Sequence, residues 1–248
     1  MDVSELVKDI SPRQVAILKA IIEEYIVTAE AVGSETLDKK HNLGVSPATI
    51  RNEMVRLTDM KLLKQLYTSA GRVPTPEALR FYVDTLMKPK DLSVSEEMSV
   101  KQKIWDHRQE IDKLLREATR ALAERTKMLA ITATSEGDLY YAGVANILDM
   151  PEFYDYELTH SLFATLDTYD YWWGILDRQK DPIDILLGDE FGGKTLMSQC
   201  GFVYHKFVTP HFSGAVGVVG PFRLNYPAVV PMVRYVGDLV GELAGLLA

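Results

Sequence analysis

Cysteine is almost absent from this chain. Cys200 is the single one, which excludes an internal disulfide framework and a thiolate zinc cluster. Long hydrophobic runs are missing too, since no stretch approaches the ~18 consecutive apolar residues of a membrane span. The opening MDVSELVKDI is acidic and mixed, unlike a secretory or organellar leader. A cytoplasmic protein with no membrane partner is the expectation. Signatures of catalysis are equally scarce, and there is no G-x-S-x-G nucleophile elbow. The histidines are His41, His107, His160, His205 and His211. Cys200 and His205 lie close in sequence, but no third residue stands at metal-ligand spacing. No catalytic, cofactor or metal site is expected.

What is present is an ordinary folded composition, 47% hydrophobic and 25% charged over 248 residues. That fits one large domain or two small ones. The formal net charge of −8 hides an asymmetry. Residues 1–90 carry 13 Lys+Arg against 12 Asp+Glu, while residues 91–248 carry 14 against 23. Inside the first part, Lys39, Lys40, Arg51, Arg56, Lys61, Lys64 and Arg72 face only Glu53 and Asp59 over residues 39–72. A basic segment inside an acidic protein points to one end meeting a polyanion. A solvated charged face is the plainer explanation of charge alone.

The first 88 residues are densely punctuated. Ser11-Pro12 supplies an N-cap and a proline at the first helical position. Val15, Leu18, Ile22 and Tyr25, widened by Ile21 and Ile26, form the apolar stripe of a helix ending before Gly33. Ser34 is expected to cap a short helix to about His41. A tight turn follows at Asn42-Leu43-Gly44-Val45, and Ser46-Pro47 opens a third helix to about Met60. Leu62 to Tyr67 reads as a strand. After a turn at Thr68-Ser69-Ala70-Gly71, Arg72-Val73-Pro74 reads as an antiparallel edge strand. Thr75-Pro76 caps a fourth helix over about 77–87. Helix, helix, tight turn, helix and hairpin describe a winged helix-turn-helix.

The third helix has two chemically distinct faces. Ile50, Met54 and Leu57 lie within one arc at helical spacing. Thr49, Asn52 and Arg56 project opposite, flanked by Ser46 and Arg51. Asn pairs bidentately with adenine, Arg with guanine, and Ser or Thr with either partner. Lys64 and the turn residues Thr68, Ser69 and Arg72 suit a wing lying against phosphate or in a minor groove. These nine residues are the candidate DNA-binding set, and a winged-helix protein-interaction module is the alternative for the same pattern.

Pro89 and the run from Asp91 to Ser99 read as a linker. A helical pattern then runs from about Glu96 to Leu129, with Ile104, Ile111 and Ala118 seven apart and Leu115 and Leu122 in a second row. It suits a core helix or a dimer helix equally. The remainder mixes strands at Leu139–Leu148, Ile183–Leu187, Phe202–Val208 and Ala215–Val219 with a buried helix from Val229 to Leu247. This makes an α+β domain with one sheet.

Two further features need a reading. Gly188-Asp-Glu-Phe-Gly-Gly-Lys-Thr195 matches the phosphate-loop pattern G-x-x-x-x-G-K-[ST]. Asp189 and Glu190 would set carboxylates beside the phosphates, and no later strand ends in a convincing magnesium-holding Asp, so coincidence is the favoured explanation. Phe153, Tyr154, Tyr156, Phe163, Tyr169, Tyr171, Trp172 and Trp173 form an aromatic-rich stretch, read as core or interface packing, with a small-molecule pocket as the alternative.

The N-terminal motifs go beyond a generic winged helix. They are Ser11-Pro-Arg-Gln-Val-Ala-Ile-Leu18, Glu24-Tyr-Ile-Val-Thr28, Val32-Gly-Ser-Glu-Thr-Leu37, Gly44-Val-Ser-Pro-Ala-Thr-Ile-Arg-Asn-Glu-Met54, Thr68-Ser-Ala-Gly-Arg-Val-Pro-Thr75 and Arg80-Phe-Tyr-Val-Asp84. Together they closely resemble the bacterial heat-inducible transcription repressor HrcA family. Pro151-Glu-Phe153 and Gly217-Val-Val-Gly-Pro-Phe-Arg-Leu-Asn-Tyr226 extend the resemblance, with Phe222 where the family usually has threonine. The resemblance implies a homodimeric, nucleoid-associated repressor of chaperone genes. It implies an inverted-repeat operator in double-stranded DNA, loss of activity on heat stress and maintenance by a GroE-type chaperonin. The implied organisation is a winged-helix DNA-binding domain at 1–88, a linker and long helix at 89–130, and a GAF-like dimerisation and regulatory domain at 131–248. The chain is shorter than the family usually is, leaving little room for the inserted dimerisation domain of longer relatives. The competing class is a nucleotide- or small-ligand-responsive DNA-binding regulator.

Overall fold

The computed structural model describes residues 10–67, 70–177, 182–190, 197 and 199–247. The chain divides into two compact units, with the boundary between Lys88 and Pro89.

The first unit contains α1 (Pro12–Thr28), α2 (Ser34–His41), α3 (Pro47–Asp59), a two-stranded antiparallel hairpin β1 (Leu63–Lys64) and β2 (Val73–Pro74), and α4 (Pro76–Phe81), which runs on into a wide turn at Tyr82–Leu86. Ser11 caps α1 through a full capping box with Gln14. The buried stripe of α1 is Gln14, Ile17, Leu18, Ile21, Ile22, Tyr25 and Ile26. It is rotated slightly from the expected one, so Val15 is only half-buried. Ser34 is not a cap: Gly33 holds that position without a side-chain bond, and Ser34 is a buried residue of α2. The expected strand from Leu62 to Tyr67 shrinks to two residues, because past Lys64 the opposite position is Arg72, whose backbone N–H and carbonyl are both bonded to Val32.

In the second unit, α5 (Val94–Trp105) and α6 (Ile111–Thr126) precede the five-stranded sheet. Its strands are β3 (Leu129–Thr134), β4 (Leu139–Ala142), β5 (Ile183–Leu187), β6 (Cys200–Val208) and β7 (Ser213–Pro221). The order is β4-β3-β7-β6-β5, with every neighbouring pair antiparallel. The helices α7 (Val144–Leu148), α8 (Tyr156–Leu166) and α9 (Tyr169–Leu176) lie between β4 and β5, and α10 (Tyr226–Gly245) ends the unit. Leu129, Ile131, Ala133, Phe202 and Tyr204 share one core with Leu158, Leu162 and Trp172 of α8 and α9. The alternate residues face α6 and α10. Thr132 meets Thr119 of α6 through their hydroxyls at 2.7 Å, and His205 lies against Gly237 of α10. Both faces of the sheet are therefore covered, which is why β3 reads as a continuous buried run and not as an alternating pattern.

Two expectations fail here for physical reasons, and a third, that of the aromatic stretch as packing, holds. The single helix over 96–129 is two helices. The turn at 106–110 lets α5 bury Val100 and Ile104 while α6 buries Leu114, Leu115, Ala118 and Leu122. The heptad residues are thus largely spent inside one chain. The strand expected over Leu139–Leu148 stops at Ala142, because Gly143 turns at φ 82° with no room for a Cβ: one would lie 2.4 Å from the Met128 carbonyl. The aromatic stretch is mostly core. Trp172 is fully buried, donates to the Thr165 carbonyl at 3.0 Å and packs edge-on against Phe202. Tyr154 and Tyr156 are exposed.

Two polar contacts fasten this unit. Pro231, inside α10, has no N–H for the carbonyl one turn back. That carbonyl, of Pro227, instead accepts from the Lys90 amide at 2.7 Å, which pins the expected linker to α10. Arg223 grips Glu152 side-on, Nε–Oε1 2.5 Å and Nη2–Oε2 3.0 Å, with both side chains nearly buried. The pair joins the Pro151-Glu-Phe153 segment to the loop after β7. Glu152→Gln keeps the shape but leaves a buried guanidinium without its counter-charge, and should cost about 3 kcal/mol. Trp105, Trp172 and Trp173 all belong to this unit, so urea unfolding followed by tryptophan fluorescence reads it alone. The midpoint should fall at constant slope, and an unmoved midpoint would refute the assignment.

His205 gives a second test. Its Nε2 faces Asp238 at 3.2 Å, while the buried Nδ1 has no hydrogen-bond partner. Burial holds its pKa below the ordinary 6.5; the Asp238 charge opposes this and the Arg234 charge adds to it. Below about pH 6.5 the unfolded chain takes up a proton that the folded chain resists, so stability falls as pH drops through that value towards the folded pKa. The urea midpoint should drop between about pH 7.5 and about pH 5.5, and by less in His205→Gln. Equal drops in the two proteins would exclude His205 as a source.

Candidate nucleic-acid interface

The candidate surface is built on α3. Ser46 Oγ caps the helix by accepting from the Thr49 amide at 3.2 Å and meets Thr49 Oγ1 at 3.0 Å. Ile50, Met54 and Leu57 are buried, as their spacing requires. Fully burying one such side chain stabilises by about 1.5–3 kcal/mol, which fixes the helix's rotation. Arg51, Asn52, Val55 and Arg56 are exposed, and Thr49 is half-buried. Sequence reasoning missed Val55. It is 43% exposed among the polar residues, and its placement one turn from Arg51 and Asn52 was the available signal. An apolar side chain there is chemically suited to a thymine methyl.

Residue Glu53, counted at first only as a negative charge, is the buried centre of the surface. Its Oε2 accepts from Gln14 Nε2 of α1 at 3.0 Å. The same Gln14 side chain accepts from the Ser11 amide at 2.9 Å. One amide group therefore caps α1 and ties it to α3. Arg13 and Arg56 approach Glu53 from the rim, at 3.8 Å and 3.5 Å.

The hairpin places its residues differently from one another. Lys64 is exposed on β1. Arg72 is half-buried: Nε donates to Thr58 Oγ1 at 3.1 Å and Nη1 to the Ala70 carbonyl at 3.4 Å. Its backbone exchanges two 2.9 Å hydrogen bonds with Val32. Gly71 allows that approach, since a Cβ would lie 2.4 Å from the Val32 oxygen. Arg72 thus fastens the hairpin to the end of α3 and is not extended from the turn as its neighbours had implied. Leu66 and Tyr67 are exposed beside it, and Thr68 and Ser69 lie outside the described residues. A cleft of about 440 Å³ is lined by Arg51, Val55, Gln65 and Arg72 among others. Elsewhere in the basic segment Lys40 is engaged: its hydrogen bond holds Glu24 below the usual carboxylate range, with His41 alongside.

Other candidate chemistry is less organised. Of the phosphate-loop match, Gly188–Glu190 form a short turn, and Glu190 accepts from the Leu187 amide at 2.7 Å. The remaining matched residues, Lys194 included, lie outside the described residues. Strand β5, which leads into the match, is the last in the sheet order and antiparallel to β6. Burial pushes the Cys200 thiol up to about 12, away from nucleophilic or ligand chemistry. Among the described residues no group of three metal-ligating side chains occurs, and no helix is long and apolar enough to cross a membrane.

Comparison with known proteins adds the following. The family model described as the HrcA protein C terminal domain matches residues 49–230. The heat-inducible transcription repressor HrcA of Symbiobacterium thermophilum is 26% identical over 337 residues, covering 94% of this chain and 98% of that protein. That alignment is longer than the 248 residues here, so the relative carries residues with no counterpart in this chain. The HrcA proteins of Moorella thermoacetica and Clostridium acetobutylicum are 48% identical over 119 and 124 residues. These matches take in 48% and 50% of this chain but only 35% and 36% of theirs. A crystal structure described as that of a hypothetical protein shares the fold, with a TM-score of 0.78 at 16% identity over 97% of this chain and 100% of that one.

The shared role of Gln14 makes a direct prediction. Gln14→Ala leaves the Glu53 acceptor without its donor and should destabilise the first unit by about 1–3 kcal/mol. Amide hydrogen exchange in α1 and α3 should quicken, while exchange in the five-stranded sheet stays as it was. Unchanged protection in α3 would mean that the two helices do not depend on this bridge.

Proposed function

The chain belongs to the HrcA family, and we propose that it is a heat-inducible transcription repressor that binds an inverted-repeat operator in double-stranded DNA as a homodimer. The first unit is read as a winged helix, with α3 as the groove-entering helix and the β1–β2 hairpin as the wing. The second unit, with helices on both faces of one sheet, is read as a GAF-like domain that dimerises. On this reading residues 1–88 bind DNA, and 131–248, together with α5 and α6 of the 89–130 stretch that belong to the same unit, hold two copies together. Location in the cytoplasm at the nucleoid follows, and a GroE-type chaperonin is the partner proposed from family resemblance.

The observation that carries this reading is the two-faced α3. Its inner side is fixed by three buried apolar residues, and its outer side offers Arg51, Asn52 and Arg56 together. Asn52 and Arg51, within the first turns, are placed where a recognition helix meets base edges. Ser46 and Thr49 flank them. Lys64 is assigned to phosphate, and Thr68, Ser69 and Arg72 to the wing, with Arg72 acting chiefly by holding the hairpin. The excess of acidic residues after position 90 repels phosphate, so the second unit aids binding only by joining two reading units. A joined pair gains roughly 10²–10⁴ when the geometry fits. Repression is steric: a dimer on the operator blocks the promoter until heat removes the folded dimer.

The test starts with duplexes selected by the full chain from a random DNA pool, which should yield an inverted repeat. Asn52→Ala should weaken the selected duplex by about 1–3 kcal/mol and relax base preference. Lys64→Ala should weaken selected and scrambled duplexes alike. Inserting about five base pairs between half-sites, half a helical turn, should abolish tight binding. All titrations share one salt concentration. Selection of no common sequence, or indifference to the insertion, would defeat the proposal.

A further inference from the structure

Arg13 lies outside the nine residues assigned to DNA, yet it stands beside Arg56 on a common carboxylate. Resting on the DNA-binding reading above, we propose that Arg13 and Arg56 form a two-guanidinium clamp for one DNA phosphate, with Glu53 as its positioning residue.

The geometry starts at Glu53. Only 9% of its side chain is exposed, against 56% for Arg13 and 68% for Arg56. Burying one carboxylate between two arginines is costly unless its oxygens are satisfied, and Gln14 satisfies Oε2 with a direct 3.0 Å hydrogen bond. The two arginines stand farther off. Arg13 Nη1 is 3.8 Å from Oε1, and Arg56 Nη1 is 3.5 Å from both oxygens. Charge-assisted hydrogen bonds close to about 2.7–2.9 Å, so these contacts orient the guanidiniums without fully engaging their donors. The local sum is two positive charges against one negative. The surplus faces outward, because the carboxylate is shielded by protein and the guanidinium ends are in solvent.

The placement along the chain agrees. Arg13 is in the first turn of α1 and Arg56 in the last turn of α3, so the pair spans the junction of two helices. Arg51 and Asn52 lie earlier on α3, nearer the end that meets bases. A flat base edge takes one bidentate arginine, whereas a phosphate presents several oxygens and accepts two forks at once. The sequence pattern had set Arg56 among the base readers. Its tether to Glu53 and its pairing with Arg13 move it to the backbone.

The experiment uses the full chain, a duplex it selects from a random pool and a scrambled duplex of equal length. Arg13→Ala, at an exposed site, should weaken both duplexes by the same factor, roughly tenfold, the scale of one charge-assisted hydrogen bond. The slope of log affinity against log salt should shrink by about 0.9. Arg13→Lys should keep most of the slope and lose affinity, because it keeps the charge and loses the fork. Glu53→Gln preserves the acceptor for Gln14. In that background Arg13→Ala should cost less than half its former factor, since the clamp is no longer arranged. Arg13→Ala with unchanged affinity and slope overturns the clamp. A loss confined to the selected duplex overturns the phosphate assignment. An identical Arg13→Ala factor with and without Glu53 overturns the positioning role. A parent chain that binds neither duplex removes the DNA-binding reading itself, which none of the variant outcomes does.

Discussion

The side chain of Gln14 joins two requirements in one amide. Helix α1 needs its first backbone donors satisfied, and α3 needs its buried carboxylate satisfied. Gln14 meets the first through Ser11 and the second through Glu53. Because an amide offers an acceptor and donors at fixed separation, meeting both ties the start of α1 to α3, whose rotation the buried Ile50, Met54 and Leu57 already set. The outward directions of Arg51, Asn52 and Arg56 follow from that rotation. The hairpin depends on it in turn, since Arg72 fastens to Thr58 at the end of α3. A polar bridge specifies this arrangement more narrowly than apolar contact does, because hydrogen bonds lose strength steeply with angle and dispersion does not.

The second unit is organised by a different kind of economy: a backbone group left unused in one place is used in another. Pro231 removes a donor from α10, and the carbonyl so released holds the amide of Lys90. The segment that follows the unit boundary is therefore part of the second unit's fold and not a loose tether. Arg223 and Glu152 tie two segments far apart in sequence through a side-chain ion pair instead. Both contacts are long-range ties. On the proposed reading, these ties matter because the second unit must transmit its own folded state to the reading unit. Loss of its structure on heating would then release DNA without any change in the groove-facing residues.

The folding of α5 against α6 bears on assembly. A heptad pattern is ambiguous between intramolecular and intermolecular pairing, since both bury the same seam. Here the turn at 106–110 turns the seam inward, and Val100, Ile104, Leu115 and Leu122 are consumed by the chain's own core. These four residues are therefore packed within the chain itself.

Much of the first unit was legible in the sequence because its signals are local. Ser11-Pro12, Ser46-Pro47 and Thr75-Pro76 mark helix starts through caps and fixed φ, and each stands where it was expected. The apolar arc of α3 fixed its buried face, and with it most of the candidate surface. The family motifs were equally visible, and the matched family agrees with them. What the tertiary structure decided was every feature that depends on a distant partner. Glu53 reads as an unhelpful charge until Gln14 is found beside it, 39 positions away. Arg72 reads as a free wing residue until Thr58 and Val32 are seen to hold it. Strand β3 has no alternating pattern because helices cover both its faces, and the break between α5 and α6 carries no glycine or proline to announce it. Capping and periodicity are set by neighbours within a turn or two of chain. Burial, ion pairing and strand order are set by whatever folding brings alongside, and a sequence read in order does not contain that proximity.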